Sequence, residues 1–197
     1  MRKGELTRRA ILDEAVQVAS QHGLGGLTIG QLAEHTDMSK SGLFAHFKAK
    51  ESLQLQVLEH GREQFIDNVI RPALAAPRGL PRVRTLFDQW LIWSGDEFKG
   101  GCLFVAAAVE LDDQPGPARD ALVRSERDWL ETIATIAATA VAEGEFRDDL
   151  DVDQFAFELH GVMLTHHHAS RLLHDERAPE RTRRAFESLI ATASRPT

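Results

Sequence analysis

Residues 27–53 read LTIGQLAEHTDMSKSGLFAHFKAKESL, and this stretch decides how the chain folds. It contains two short helical patterns separated by three or four residues, which is the spacing of a helix-turn-helix. Thr28 is placed to cap the first helix, because its hydroxyl can accept a hydrogen bond from a free amide. Gln31 follows three residues later, which completes a capping box. Ile29 and Leu32 then fall on one face of the predicted helix.

The second helix of this unit is predicted to begin at Ser39, which is placed as its cap. Leu43 and Phe47 lie one turn apart on its inner side. The residues expected to face outward are Lys40, Ser41, Phe44, Ala45 and His46. A helix start with a cation and hydroxyls suits a phosphate, because the free amides and the macrodipole already favour an anion there. Lys40 is the candidate for a base or phosphate contact, so the second helix is predicted to enter the major groove of DNA.

The same residues resemble the DNA-binding region of the TetR family of dimeric transcriptional regulators. The resemblance rests on SKSGLFAHFKAKESL preceded by LTIGQLAEHTDM, which together span about the first quarter of the chain. It implies that the chain binds double-stranded DNA at a palindromic operator. The positions that it assigns to DNA are Thr28, Gln31, Ser39, Lys40, Ser41, Gly42, Leu43, Phe44, Ala45, His46 and Lys50.

Individual positions follow the family pattern to different degrees. Lys50 matches a lysine that contacts backbone phosphate, and the alternative is a solvated lysine. His46 matches a histidine that reaches phosphate, and the alternative is a histidine that braces the following turn. Phe44 stands where the family usually has an aromatic residue, often tyrosine, so one possible phosphate hydrogen bond is lost. Gly30 stands where some relatives carry a base-reading side chain, and Ala45 stands where many have a bulky or polar residue, so the operator sequence is not predicted.

Composition places the chain among ordinary globular proteins. Its 197 residues are 43% hydrophobic and 27% charged, which is enough to bury a sizeable core. There is no apolar run of about 18 residues to span a membrane and no signal-type apolar segment at the N-terminus, so a cytoplasmic protein is expected. The single cysteine, Cys102, cannot form an intramolecular disulfide, and it is interpreted as a small buried side chain with redox sensing as the alternative.

The net charge of −7 is unevenly distributed along the chain. Residues 1–50 carry seven Lys and Arg against five Asp and Glu, whereas the remainder carries 16 basic and 25 acidic residues. This asymmetry is expected when one end of a protein meets DNA and the other end does not.

The remaining patterns are helical throughout, and the predicted fold class is all-α. The predicted helices are Glu5–His22, 49–70, 82–98, 102–111, 117–143, 155–173 with a cap at Asp151 or Asp153, and 179–193. Prolines and glycines between residues 72 and 81 interrupt regular structure. The sequence predicts an N-terminal helix-turn-helix DNA-binding domain at residues 1–50 and a C-terminal helical domain at 51–197, joined by the helix 49–70. The resemblance implies that the second domain binds a ligand and mediates dimerisation.

In the resembling family the middle of the chain encloses a ligand cavity. The candidate ligand-binding residues are Trp90, Trp93, Phe98, Cys102 and Phe104. An aromatic stripe at helical spacing is also typical of a plain core, and this alternative stays open. Because few basic groups accompany these residues, an apolar or aromatic effector is expected.

Apolar stripes with small residues predict that two later helices pair with a second copy as a four-helix bundle. The candidate interface residues are Leu122, Trp129, Ile133, Ile136, Phe155, Leu159, Val162 and His166. Packing of the same stripes within one chain is the rival explanation. Consecutive side chains in His166–His168 point about 100° apart and cannot ligate one ion together, so no metal is predicted, and no cofactor either.

The principal hypothesis from these observations is a homodimeric, ligand-responsive transcriptional regulator. Repression is favoured over activation. A small helical enzyme is one alternative, although no nucleophile, base and orienting group form a recognisable pattern. A helical adaptor that binds protein is another. Salt-dependent binding to duplex DNA separates the first hypothesis from both alternatives.

Overall fold

The computed structural model describes residues 3–36 and 38–195, and it describes side chains for residues 8–36, 38–95 and 98–195. Residues 1, 2 and 37 of the predicted DNA-binding domain lie outside the described residues. Regular structure in the described residues is helical, apart from an isolated antiparallel bridge between Phe146 and Ser194. The predicted all-α fold class is therefore confirmed. In the described residues no helix has the length and apolar character that a membrane crossing requires.

Ten α-helices and two π-helical turns follow one another in the described residues. They are α1 (Lys3–Gly26), α2 (Ile29–Thr36), α3 (Lys40–Phe47), α4 (Lys50–Phe65), a π-helical turn (Ile66–Ile70), α5 (Arg71–Ala75), α6 (Leu80–Ile92), a second π-helical turn (Trp93–Glu97), α7 (Leu103–Leu111), α8 (Pro117–Ala142), α9 (Val152–Arg171) and α10 (Ala178–Ala193).

Several helix ends lie where the sequence places them. Asp151 caps α9 by accepting hydrogen bonds from the backbone N–H groups of Asp153 and Gln154 at 3.1 and 2.9 Å. The first helix, predicted over Glu5–His22, breaks at Gly23, whose backbone is non-helical with φ at 75°, and the chain then makes one further turn to Gly26. The helix predicted over 49–70 differs, because its α-helical part ends at Phe65 and a π-helical turn completes it.

The chain divides into two compact units. The first contains residues 1–65 and 95–125, and the second contains residues 66–94 and 126–197. The chain therefore passes from one unit to the other three times. The sequence-based division after residue 50 stays a prediction.

In the first unit, α1 packs against α2, α4 and α7. One side of α1 is an apolar stripe that is buried at Ile11, Ala15, Val18 and Ala19. Gly61 of α4 permits close packing here, because a Cβ at this position would lie only 3.1 Å from a methyl group of Leu103. Burying apolar side chains stabilises the unit by about 25 cal/mol per Å² of apolar surface removed from water.

In the second unit, α10 packs against α9. The rings of Phe87 and Phe186 stack with centroids 3.9 Å apart, and the guanidinium of Arg84 lies over the Phe186 ring at 5.8 Å. Arg84 also forms a two-pronged ion pair with Glu187. Hydrogen bonding to Glu187 raises the pKa of Arg84, and hydrogen bonding to Arg84 lowers the pKa of Glu187.

Candidate nucleic-acid interface

Both helices of the predicted helix-turn-helix are capped by the side chains that the sequence indicates. The backbone N–H of Gln31 donates to Oγ1 of Thr28 at 3.1 Å, and the backbone N–H of Thr28 donates to Oε1 of Gln31 at 3.1 Å. The predicted capping box is thus confirmed. At the start of α3, the backbone N–H of Gly42 donates to Oγ of Ser39 at 3.2 Å. These bonds satisfy amides that a helix N-terminus otherwise leaves free, so they fix where α2 and α3 begin.

The two faces of α3 differ as predicted. Leu43 and Phe47 are fully buried, so they anchor the helix to the rest of the unit. Phe44 is 57% exposed, which leaves an aromatic ring in solvent. Lys40, Ser41 and Ala45 are also exposed, whereas Gly42 and His46 are half-buried. An outward face with a cation, a hydroxyl and an aromatic ring is suited to a nucleic-acid backbone.

Gly30, at the start of α2, lies beside Lys40. A Cβ at Gly30 would lie 3.6 Å from Nζ of Lys40 and 3.7 Å from Oγ1 of Thr28. Both distances are ordinary van der Waals contacts, so the Lys40 ammonium lies next to the N-terminus of α2 and an alanine at position 30 would also fit. A cation beside free helix amides favours a bound anion.

Lys50 has an intramolecular partner that sequence reasoning missed. Its Nζ donates to the backbone carbonyl of Gly25 at 2.5 Å, and Nε2 of Gln54 donates to the carbonyl of Leu24 at 2.9 Å. Both bonds join α4 to the last turn of α1, which follows the break at Gly23. Lys50 is nevertheless exposed, and its phosphate contact stays a prediction.

Glu110 of α7 is a second residue that sequence reasoning missed. Its Oε2 accepts a hydrogen bond from the backbone N–H of Leu24 at 2.8 Å, and its Oε1 accepts one from the backbone N–H of Gly25. The only local signal is the glycine-rich stretch GLGG at 23–26. Nothing in the sequence pairs that stretch with a carboxylate 86 positions away.

The candidate ligand-binding residues are all buried, with exposures between 1% and 8%. Trp90 and Trp93 belong to the second unit, and Phe98, Cys102 and Phe104 belong to the first. A cleft of about 550 Å³ in the first unit is lined by Glu14, Gln17, Val18, Gln21, His35, Gly95, Phe98 and Lys99. Of the five candidates it includes Phe98 alone, and its lining is mostly polar. Ligand binding by the five residues stays a prediction.

The candidate dimer residues require a correction. The structure buries Leu122, Trp129, Ile133, Ile136, Phe155, Leu159 and His166 within their own chain, with at most 7% exposure, and it leaves only Val162 half-buried. Buried side chains have no surface to offer a second copy. The apolar stripes therefore mark intramolecular packing, which was the rival explanation. The outer face of α9 instead exposes Phe157 at 71% and Leu164 at 40%.

Three histidines of α9 lie in environments that disfavour a proton. His166 Nδ1 is 2.9 Å from Oγ1 of Thr182, and burial lowers the pKa of His166. Burial also lowers the pKa of His160, whose Nε2 lies 3.7 Å from Oε2 of Glu126, and it raises the pKa of Glu126. Burial and nearby cations lower the pKa of His167 to about 4. In the described part of the chain, no three His, Cys, Asp or Glu residues are grouped as a metal ion requires.

Comparisons with known proteins agree with this architecture. Residues 11–57 match the family of bacterial regulatory proteins called tetR, and residues 79–186 match the tetracyclin repressor-like C-terminal domain. A TetR transcriptional regulator from Chloroflexus aurantiacus has the same fold, with a TM-score of 0.85 and 24% identity over 97% of this chain and 96% of its own. No curated protein matches the chain.

Two further structures with the same fold were solved with small molecules. A protein from Saccharomonospora viridis in complex with choline has a TM-score of 0.82 and 20% identity, over 98% of this chain and 100% of its own. AibR in complex with isovaleryl coenzyme A and operator DNA has a TM-score of 0.72 and 19% identity, over 97% of this chain and 100% of its own.

The capped helix pair and the helical remainder define a DNA-binding regulator of the helix-turn-helix class. The chain belongs to the TetR family of transcriptional regulators. It is accordingly a DNA-binding transcription factor and not an enzyme. Repression and homodimer formation are typical of this family.

Proposed function

We propose that this regulator is a repressor that binds a palindromic operator as a homodimer and is released by a small molecule. The observation that carries the proposal is the exposed face of α3, which is capped at Ser39 and anchored by buried Leu43 and Phe47. A rigid helix with a cationic outer side is what reading a major groove requires. In this proposal residues 1–50 are the DNA-binding domain, and residues 51–197 are the regulatory and dimerisation domain.

The proposed DNA contacts come from two helix N-termini and two lysines. Ser39 and Ser41 lie at the start of α3, and Thr28 lies at the start of α2, so their amides and hydroxyls suit phosphate oxygens. Lys40 provides a charge next to both starts. Lys50 contacts phosphate from the beginning of α4 while it holds the preceding turn.

The proposed dimer surface is the outer face of α8 and α9, in place of the buried stripes. On α9 it contains Phe157, Gly161 and Leu164, which are exposed and spaced by four and three residues. A Cβ at Gly161 would meet nothing within 4 Å, so the backbone is open to close approach there. Exposed Thr135 and Ala138 are small side chains that leave the outer side of α8 comparably open. Two such helices from each copy form a four-helix bundle, and a two-fold dimer places the recognition helices about 34 Å apart.

The proposed effector is a small molecule that binds the DNA-incompetent conformation more tightly than the DNA-bound one. A ligand with equal affinity for both conformations shifts nothing. The choline and isovaleryl coenzyme A complexes of two structural neighbours support small molecules as the class of effector. The aromatic residues in the middle of the chain favour an apolar or aromatic compound.

Selection of duplexes from a random-sequence pool by the purified protein tests the proposal. We expect enrichment of a palindrome whose half-sites lie about one helical turn apart. Binding to that duplex should weaken steeply as salt increases, because Lys and Arg contacts displace counterions from phosphates. A pool that stays random after repeated selection, or binding that is insensitive to salt, would contradict the proposed function.

A further inference from the structure

The last turn of α1, which follows the break at Gly23, is held by a carboxylate from α7. Oε2 of Glu110 accepts a hydrogen bond from the backbone N–H of Leu24 at 2.8 Å, and Oε1 accepts one from the backbone N–H of Gly25. Hydrogen bonds from amides to an ionised carboxylate are about twice as strong as bonds between neutral groups. The arrangement satisfies two amides that follow the break in α1 at Gly23.

The glycines of this turn make room for the carboxylate. A Cβ at Gly23 would lie 2.8 Å from Oε2 of Glu110, and a Cβ at Gly25 would overlap Oε1. Gly23 also has φ at 75°, a conformation that glycine adopts without the steric cost of a side chain. Both the space and the backbone shape therefore suit a bound carboxylate.

The opposite side of the turn is bound by α4. Nζ of Lys50 donates to the carbonyl of Gly25, and Nε2 of Gln54 donates to the carbonyl of Leu24. The backbone donors and acceptors of Leu24 and Gly25 are thus occupied by side chains from two different helices. Leu27 and the cap of α2 follow directly, so the turn sets where the helix-turn-helix begins.

A second contact joins the segment before α7 to the same end of α1. A Cβ at Gly100 would overlap the backbone carbonyl of Ser20, so only glycine fits at this approach. Glu110 lies near the other end of α7, which spans Leu103–Leu111. The connection into α7 and the last turn of α7 therefore each contact the end of α1. Along the chain, α7 lies between α6 and α8. Helix α6 belongs to the second unit, and α8 begins in the first unit and continues in the second.

We infer that Glu110 is a positioning residue for DNA binding, and this inference rests on the proposed function. Its carboxylate holds the turn at Leu24–Gly25, and with it α2 and α3, in the orientation that the operator requires. Because Glu110 is on α7, it also makes this orientation depend on a helix outside the helix-turn-helix. A displacement of α7 that withdraws the carboxylate frees both amides and loosens the start of α2.

For the removal of this charge, the inference predicts the opposite of what simple electrostatics predicts. Removing an acidic charge from a DNA-binding protein ordinarily strengthens its binding to DNA, because repulsion of the phosphates decreases. We expect the Glu110→Gln variant to bind the selected operator duplex about tenfold more weakly, because one amide loses its acceptor and the turn is no longer held. The matched control is Asp113→Asn, which removes the same charge at an exposed position two residues beyond the end of α7. The control should bind as tightly as the parent or more tightly.

Two readouts separate positioning from a general loss of stability. Operator affinity is measured at a temperature where circular dichroism shows parent and variants to be fully folded, so a role in stability alone leaves the affinity unchanged. Hydrogen exchange of the Leu24 and Gly25 amides is followed by NMR in the protein without DNA. We expect faster exchange at these two amides in Glu110→Gln and unchanged exchange in Asp113→Asn.

The Glu110→Asp variant keeps the charge but shortens the side chain by one methylene group. It should also weaken operator binding, because a shorter carboxylate does not reach both amides, and it replaces Glu110→Gln if that variant does not fold. Parental affinity in both variants, or unchanged exchange at Leu24 and Gly25, would overturn the inference. If the parent selects no duplex, the proposed function fails, and the exchange rates alone then decide whether Glu110 holds the turn.

Discussion

The side chains of His60 and Asp13 join α4 to α1, with Nε2 of the histidine 2.6 Å from Oδ1 of the aspartate. His60 is 6% exposed, whereas Asp13 is 51% exposed. Nε2 of Gln64 donates to the same Oδ1 atom at 2.8 Å. One carboxylate at the surface thus satisfies a buried ring nitrogen and a neighbouring amide, both of which belong to the helix that follows the helix-turn-helix.

Replacing Asp13 by alanine should destabilise the protein. Nε2 of the buried His60 ring would lose its 2.6 Å partner and keep only the more distant Nε2 of Gln64 at 3.4 Å, and an unsatisfied buried polar group costs about 1–3 kcal/mol. The free energy of unfolding, measured with urea, should fall by an amount in this range. Glu59→Ala, an exposed acid on the same helix, is the control and should change stability little. Equal stability of the Asp13 variant and the parent would mean that water replaces the carboxylate.

Replacing Lys40 by alanine should weaken operator binding, because the ammonium beside the starts of α2 and α3 is lost. The slope of log affinity against log salt should decrease in magnitude by about one if Lys40 contacts a single phosphate. Arg184→Ala serves as the control, since Arg184 is an exposed cation on α10. The assignment of α3 as the recognition helix is contradicted if the two variants show the same affinity and the same slope.

Replacing Phe157 by aspartate should dissociate the dimer. An exposed aromatic ring at a helix–helix interface contributes much of the binding energy, and a buried unpaired charge opposes association. Analytical ultracentrifugation at micromolar concentration should therefore detect monomers, while circular dichroism shows an unchanged helical content. Val109→Asp, at a 76% exposed apolar position on α7, is the control and should stay dimeric. Dimers of the Phe157 variant would place the interface elsewhere.

The environment of His167 should make the protein less stable in mild acid. The pKa of His167 is about 4 in the folded state against an ordinary value of 6.5, so the unfolded chain binds more protons between these values. The contribution of neutral His167 to the free energy of unfolding is fully present above pH 6.5, and it is lost as the pH falls towards 4. The loss attributable to this residue should be at most about 2 kcal/mol at pH 4.5, since partial exposure of the ring to water screens its charge.

The His167→Gln variant isolates this contribution from other titrating groups. Its free energy of unfolding should fall less than that of the parent between pH 7 and pH 4.5. Thermal or urea denaturation at both pH values gives the comparison. Parallel pH profiles for parent and variant would show that protonation of His167 does not limit the stability.

The parts of the site that could be predicted from the sequence are local. Thr28 and Gln31 are three residues apart, as are Ser39 and Gly42, so a short window contains both partners of each capping bond. The alternation of buried and exposed positions on α3 follows from helical geometry and needs no tertiary information. These features explain why the helix-turn-helix was predicted correctly.

The parts that could not be predicted depend on distant partners. Glu110 contacts a turn 86 positions earlier in the chain, and no periodicity relates the two. The apolar stripes through Trp129 and Phe155 indicated that these side chains are buried, but burial within one chain and burial between two copies produce the same pattern. The bond from Lys50 to Gly25 was not predicted, because it bridges two helices that are separate in the sequence.

The two π-helical turns, Ile66–Ile70 and Trp93–Glu97, lie where the chain leaves the first unit and where it returns. A π-helical turn closes its hydrogen bonds over five residues instead of four, so each turn accommodates one amino acid more than a regular helix would. When homologous sequences are aligned, relatives that have an uninterrupted helix at either place should be one residue shorter there. Single-residue gaps in the alignment at these two points would then indicate that the insertion of one residue produced each π-helical turn.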